Sequence, residues 1–251
     1  VFVHGALCIA YSGQCLTSEA IGGRSANRGA CAQACRLPYQ LVVDGVLRDL
    51  GDKAYLLSPQ DLEAASAVPE LAAIGVRSLK IEGRLKGPEY VAATTALYRA
   101  AVNALRDERS AAPTEEQRLD VLQQFSRGSD VGFFHGVNHQ ALVEGRGSDH
   151  RGLLAGKLTG RVLERGKTFL EVSLERSLST GDGVLVEGGR EGTGEFGGRV
   201  WGLSLRGNSV DEVSSGETAR IWLGRDKRVP DLVVGSRVFC TNSPKSQERI
   251  R

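Results

Sequence analysis

Residues 76–108 read VRSLKIEGRLKGPEYVAATTALYRAAVNALRDE. Within them SLKIEG has the composition of a strand with a charged end, and Pro88 opens a long helix. The apolar positions of that helix (Val91, Ala92, Leu97, Tyr98, Ala101, Leu105) recur at helical spacing. Just upstream, SPQDLEAASAVPELAAIG (58–75) predicts a helix with Ser58 as N-cap and Pro59 at its first position, a break at Pro69 and an end at Gly75. Helix, strand, loop, helix is the grammar of a βα unit, and such folds place chemistry where strands exit. Lys80, Glu82 and Arg84 stand at that exit. The grammar alone leaves open whether they are working groups or solvated turn charges.

Toward the N-terminus, VFVH (1–4) reads as a short buried strand, and YQLVVDG and KAYLL read as a strand pair around a turn-rich stretch. Toward the C-terminus, Thr114 with Gln117 three residues on predicts a capped helix. A Gly-rich irregular segment follows, with His135, His139 and His150, which share no metal-ligand spacing and read as loop residues. From about residue 153 the text becomes short strands separated by turns, among them FLEVSLE, GDGVLVEG and TARIWLG. That rhythm predicts a small β-barrel with a boundary near 152, Cys240 serving as a packing residue in one of its strands. The expected divisions are therefore 1–110, 111–152 and 153–251.

Composition is that of a globular chain, 41% apolar and 25% charged with a net charge of +2. It argues against wholesale disorder and selects neither nucleic acid nor membrane as a partner. No run approaches a membrane span and no signal peptide is visible, so the expected location is the cytoplasm. The chain contains no Met and opens directly on strand-like text, which reads as a fragment lacking an N-terminal part.

Four of the five cysteines lie in the first 35 residues: Cys8 and Cys15 in VHGALCIAYSGQCLTSEA (3–20), then Cys31 and Cys35 in RGACAQACR (28–36). The first forty residues carry Arg24, Arg28 and Arg36 against one acid, Glu19, so this region is cationic. Buried free thiols are common in cores, but this segment is too poor in apolar residues to hold four. A disulfide framework wants an oxidising compartment. A catalytic thiolate with His4 as base uses one cysteine and leaves three unexplained. Metal binding uses all four, since thiolates select zinc or iron–sulfur clusters. The spacing C-x6-C, x15, C-x3-C is more open than a zinc ribbon, while the count suits a [4Fe–4S] cluster. Zinc stays open as the alternative.

These residues resemble peptidase family U32. In its motif, E-x-F-x-x-G-[SA]-[LIVM]-C-x4-G-x-C-x-[LIVM]-S, the positions of Phe2, Gly5, Ala6, Leu7, Cys8, Gly13, Cys15 and Ser18 match, Thr17 departs, and the leading Glu would precede Val1. RSANRGACAQACRLPY, YLLSPQDL and AIGVRSLKIEGRLKGPEYV extend the resemblance over most of residues 1–155. The resemblance implies a TIM-like (β/α) barrel whose C-terminal part is residues 1 to about 110, followed by the small β-barrel of the longer members. Half a barrel exposes sheet edges, so activity of these 251 residues alone is not expected.

Despite the family's collagenase-like peptidase label, several members act in oxygen-independent hydroxylation of ribosomal RNA, transfer RNA or ubiquinone, some with prephenate as oxygen source. The long architecture looks most like the ribosomal RNA branch. Carried over by position, Cys8, Cys15, Cys31 and Cys35 become the cluster ligands. Arg24, Asn27, Arg28, Lys80, Glu82, Arg84 and His4 become candidates for binding RNA or prephenate. A peptidase ranks second, because no HExxH, G-x-S-x-G or local Cys–His signature is present. A zinc-stabilised binding module is the third reading. Trp201 and Trp222, with the barrel's arginines, permit single-strand RNA contacts without demanding them.

Overall fold

A computed structural model of the chain describes residues 1–11, 13–51, 53–83, 85–106, 113–136, 138–143, 145, 152–187, 195–225 and 229–250. The described chain forms two compact units, Val1–Gln117 with Ser126–Asp149, and Arg118–Phe125 with His150–Arg251. It is mixed α/β, with one large antiparallel sheet.

The first unit has strands β1 (Phe2–Ala6), β2 (Leu41–Val43), β3 (Val46–Arg48), β4 (Asp61–Glu63), β5 (Lys80–Ile81) and β6 (Ser129–Asp130). Its helices are α1 (Thr17–Gly22), α2 (Val68–Ala73) and α3 (Pro88–Arg106). Four strands form a sheet in the order β5-β1-β4-β6. β1 runs parallel to β5, antiparallel to β4, and β4 runs parallel to β6. The parallel pairing of an all-parallel barrel is thus present at β1–β5 and β4–β6 but not at β1–β4.

The order α2, β5, α3 reproduces the expected helix–strand–helix grammar. Pro88 stands at the first position of α3, where its missing N–H costs nothing. The buried stripe of α3 is Tyr90, Ala93, Thr94, Leu97, Tyr98 and Ala101. The expected Val91 is 45% exposed, because the stripe starts one residue earlier. The helix expected from Ser58 is also displaced. Residues 58–60 lead into β4, and the helix begins at Val68 with Pro69 in its first turn. Pro69 therefore opens α2 instead of breaking a longer helix, and Gly75, at φ +88°, follows its end. The strand pair downstream of the cysteines is β2 with β3, closed through Asp44 and Gly45 at φ 53° and 77°. Two consecutive left-handed residues make the tight hairpin that twisted strands favour, so the second strand lies inside the stretch read as a turn.

The second unit has β7 (Leu153–Glu164), β8 (Lys167–Leu174), β9 (Leu178–Ser179), β10 (Gly183–Val186), β11 (Phe196–Arg199), β12 (Gly202–Leu205), β13 (Asn208–Val210), β14 (Glu212–Val213), β15 (Thr218–Trp222) and β16 (Arg237–Asn242). Eight of these strands form one antiparallel sheet in the order β11-β10-β16-β7-β8-β15-β12-β13, while β9 pairs with β14. Alternation along the strands sends one face inward. Val184 and Val186 from one end of the order share a core with Val172 and Leu203 from the rest, so the sheet wraps around a single apolar centre. Helix α4 (Glu115–Gln124) carries the expected capping box, Gln117 N–H to Thr114 Oγ1 at 3.3 Å and Thr114 N–H to Gln117 Oε1 at 3.1 Å. A short α5 (His139–Leu142) follows it in the chain, and α6 (Pro244–Ile250) ends the described residues. Asp120 on α4 accepts from Ser246 Oγ at 2.6 Å and from Arg249 Nη2 at 2.7 Å. Gln123 donates to the Cys240 thiol at 3.4 Å. Cys240 is buried, and burial pushes its thiol up to about 12.

Candidate functional site

The loop between β1 and β2 carries the four N-terminal cysteines. Cys8 follows the end of β1 by two residues, Cys15 precedes α1 by two, and Cys35 sits in a 3-10 turn over Ala34–Arg36. All four are free thiols; Cys8 and Cys31 are exposed, Cys15 and Cys35 half-buried. Two polar side chains bind the halves of the loop together. Ser18, 2% exposed, accepts the Ala32 N–H at 3.0 Å and donates to Cys31 Sγ at 3.8 Å. Asn27 Oδ1 accepts the Cys15 N–H at 3.0 Å. The Gln33 N–H donates to Cys31 Sγ at 3.3 Å. These bonds explain why the segment lacks helical or strand periodicity: side-chain and sulfur acceptors satisfy its amides.

The thiols are electrostatically distinct. The backbone N–H of Ser18, with that of Thr17 and the Thr17 hydroxyl, favours the Cys15 thiolate and lowers its pKa. Burial raises that of Cys35; Arg36 opposes the rise, and charge on Cys8, Cys31 and Cys15 reinforces it. The three other sulfurs are thus all near enough to act on Cys35. Among the described residues, however, no three thiol, imidazole or carboxylate groups share a metal-ligating position. Cys15 and Cys31 are turned to backbone and hydroxyl donors.

Arg36 anchors the second cysteine pair. Nη1 donates to Ser58 Oγ at 2.7 Å and to the Pro59 carbonyl, and Nη2 donates to the Leu7 carbonyl at 2.6 Å. The guanidinium therefore closes the cysteine loop onto the exit of β1 and the entry of β4. Beyond it lies an ion pair, Arg127 Nη1 to Asp61 Oδ1 at 2.7 Å, with side chains only 16% and 9% exposed. Lys86 is affected by both members of this pair; burial first, then Arg127, lower its pKa to about 8. Its ammonium stands 5.7 Å from the centre of the Tyr90 ring. Burial and the Asp61 charge raise the Tyr90 hydroxyl to about 12. The His4 ring is 6.0 Å from Tyr90 and 5.6 Å from Tyr98, and burial lowers its pKa to about 4. Tyr98 Oη donates to the Val3 carbonyl at 2.6 Å and lies 3.4 Å from His4 Nδ1. Arg36, Arg127 and Lys86 thus all feel the Asp61 carboxylate, a partly desolvated cationic cluster whose Arg36 also feels Cys8 and Cys35.

The expected site residues separate on this frame. Arg24 and Arg28 are exposed on the cysteine loop, while Asn27 holds that loop's backbone. Lys80 and Glu82 meet at 3.9 Å with side chains 68% and 39% exposed, a solvated pair of small energetic weight. Arg84 lies outside the described residues. His4 is a neutral core histidine between two tyrosines. His135 sits in a turn, the His139 side chain and His150 lie outside the described residues, and Trp201 is 59% exposed. Sequence reasoning missed Arg36, Asp61, Lys86, Tyr90 and Arg127. The available signals were an Arg next to Cys35 and an acid heading a short strand. Gly5 explains a motif position: at φ +119° an added Cβ would meet the Glu82 carbonyl oxygen at 2.8 Å, so glycine lets β5 approach β1.

A family model described as "Peptidase family U32" matches residues 1–144, covering the cysteine loop, the Arg36 anchor and the Asp61–Arg127 pair. The chain belongs to peptidase family U32. Among U32 relatives, the 23S rRNA 5-hydroxycytidine C2501 synthase of Escherichia coli is 37% identical over 225 residues, 88% of this chain and 32% of that protein. A Methanocaldococcus jannaschii protein described as an uncharacterized protease is 33% identical over 240 residues, 92% of this chain and 58% of its own length. The tRNA hydroxylation protein P1 of Bacillus subtilis is 37% identical over 142 residues, 54% of this chain and 34% of that protein. The chain thus spans about a third of two relatives and 58% of the other. Among the described residues, no helix is long and apolar enough to cross a membrane.

Proposed function

We propose that the chain is part of an iron–sulfur enzyme that hydroxylates a base of ribosomal or transfer RNA without molecular oxygen. One observation carries the reading: four free thiols on one loop, its two halves tied together by Ser18 and Asn27, with the half-buried cations Arg36, Lys86 and Arg127 close by. The donor set fits a [4Fe–4S] cluster in kind and number, and the amides directed at Cys15 and Cys31 are the donors that favour sulfur-borne negative charge. Cys8, Cys15, Cys31 and Cys35 would hold it, and when bound it supplies one-electron redox chemistry. Relatives named for hydroxylation of 23S rRNA and tRNA support RNA as substrate.

In this reading Arg36 holds Cys35 against β1 and stabilises negative charge at the thiolates. Lys86 and Arg127 bind and orient an anionic group, either an RNA phosphate or the carboxylate of an oxygen donor such as prephenate. Asp61 keeps Arg127 in place, and Tyr90 walls that side with a hydroxyl that stays protonated. The parallel β1–β5 pair then belongs to the TIM-like barrel of the longer proteins. Proteolysis, the activity in several relatives' names, has less support, since His4 contacts Tyr98 and lies deprotonated in the core. The test is anaerobic purification of the full-length protein with iron, sulfide and zinc quantified, alongside mass mapping of hydroxylated nucleotides in cells lacking it. Iron and sulfide near four each per chain, with loss of one hydroxylated nucleotide, is expected. Zinc alone, or unchanged nucleotides together with peptide cleavage, overturns it.

A further inference from the structure

We propose that the antiparallel unit carries a second RNA contact of its own: the exposed Trp201 ring, sharing Arg199 with a neighbouring cleft that accepts an unpaired nucleotide. The inference rests on RNA being the substrate class.

The chain has two tryptophans; the Trp201 backbone N–H donates to the Trp222 carbonyl at 2.9 Å, and Gly202 is the residue paired with Trp222 in the sheet. Trp201 is 59% exposed, although a ring of this size gains most by burial. Its place is kept by Gly224, where an added Cβ would meet the ring at 3.0 Å. Each ring carries a cation. The Arg199 guanidinium lies 5.2 Å from the Trp201 centre, and Lys167 Nζ lies 4.4 Å from the Trp222 centre.

These two cations stand apart from others in the unit. Arg161, Arg206, Arg220, Arg237, Lys245 and Arg249 are each paired with a carboxylate. Among the described residues Arg199 and Lys167 pair with aromatic rings instead. A cation with no carboxylate partner among the described residues, beside the exposed Trp201 ring, suits a ligand that offers flat rings joined by phosphates.

The cleft strengthens this choice. It holds about 600 Å³, within the range of small-ligand sites, and its wall includes Gly181, Gly183, Gly197 and Gly198, with Arg199 and Gln247 among its polar groups. Gly183 and Gly197 allow close chain approach beside the cleft, since an added Cβ would meet Thr241 Oγ1 at 2.5 Å and the Val184 carbonyl oxygen closer still. Arg199 lines the cleft and also covers Trp201, so one phosphate on its guanidinium would be flanked by a base in the cleft and a base on the indole.

The test titrates the 251-residue chain with an unstructured pyrimidine octaribonucleotide and follows tryptophan fluorescence, the W201F and W222F chains assigning the signal. Quenching that disappears in W201F, a tenfold or greater loss of affinity in R199A with partial recovery in R199K, and a log–log salt slope shallower by about 0.7 in R199A are expected. A duplex of the same sequence should compete poorly. Equal binding by wild type and R199A, equal competition by duplex, or quenching by a gelatin peptide in place of RNA overturns the proposal. If RNA binding survives R199A but is lost on replacing Arg24 and Arg28, the RNA reading stands and this face is not its contact. If no RNA binds and nucleotide maps are also unchanged, both readings fail together.

Discussion

Arg36 Nη2 donates to the carbonyl oxygen of Leu7 at 2.6 Å across 29 positions of chain. Each end of this bond is one residue from a cysteine, Cys35 on one side and Cys8 on the other. The hydrogen bond therefore sets the approach of the two loop ends that the spacing C-x6-C, x15, C-x3-C leaves open. Replacing Arg36 by Gln removes a charge-assisted donor to three acceptors and should cost about 2–3 kcal/mol by thermal or urea unfolding. The same variant purified anaerobically should lose most of its iron, whereas Arg36→Lys should retain part of it.

Serine at Cys8, Cys15, Cys31 or Cys35 should each lower iron content of the full-length protein several-fold, while Cys240→Ser leaves it unchanged. Cys240 belongs to another unit and its sulfur is engaged by Gln123. Iron analysis of the five variants checks this, and a loss confined to one pair would reassign the remaining ligands.

His4 should make stability pH-dependent on the acid side. Its folded pKa is depressed, so the unfolded chain binds the proton more readily and stability rises with pH between about 4 and 6.5. Above 6.5 the effect is complete; falling through this window the chain should lose on the order of 3 kcal/mol. Urea midpoints at pH 7, 5.5 and 4.5 for wild type and His4→Gln measure it, the variant being less stable at pH 7 but flatter.

Lys86 should behave as an unusually reactive amine. With its pKa lowered to about 8, it should be acylated ahead of the other lysines when the chain is treated at pH 7.5, as read by peptide mass mapping. The Asp61 charge raises that pKa, so Asp61→Asn should sharpen the preference. The same substitution takes the carboxylate away from Arg127 in a site where its side chain is 16% exposed and should destabilise the fold by about 3 kcal/mol.

Gly5→Ala should cost about 2 kcal/mol or more, because the new methyl carries both a left-handed strain and a 2.8 Å approach to the Glu82 carbonyl. Hydrogen exchange should show the Glu82 N–H bond to the His4 carbonyl opening first.

What the sequence disclosed depended on whether an element is specified locally. The βα grammar around Pro88, the Thr114–Gln117 cap and the switch to strands at 153 rest on neighbours in the chain, and they stand in the fold. The Ser58 helix did not form because Asp61 and Leu62 are drawn into the sheet against Gly5 and Ala6, a non-local pairing that outweighs an N-cap and a proline. In α3 the expected Leu97, Tyr98 and Ala101 are buried, and only the first turn differs, Tyr90 inward and Val91 outward, because small apolar residues alone do not fix where the stripe starts. At the site, cysteine count was legible because thiols are rare. Asp61, Lys86 and Arg127 were not, since a charged residue in a short strand or loop reads as solvated until distant segments bury it.

Helix α4 has a consequence for how this polypeptide can be divided. The backbone passes from the first unit to the second after Gln117, returns after Phe125, and crosses again after Asp149. No single scission separates the two bodies with their partners intact. A chain begun at residue 150 would forfeit Asp120 and Gln123, and with them the bonds they make to Ser246, Arg249 and the Cys240 thiol. Excision or recombination that carries the eight-stranded sheet as a module must therefore carry the 118–125 segment with it.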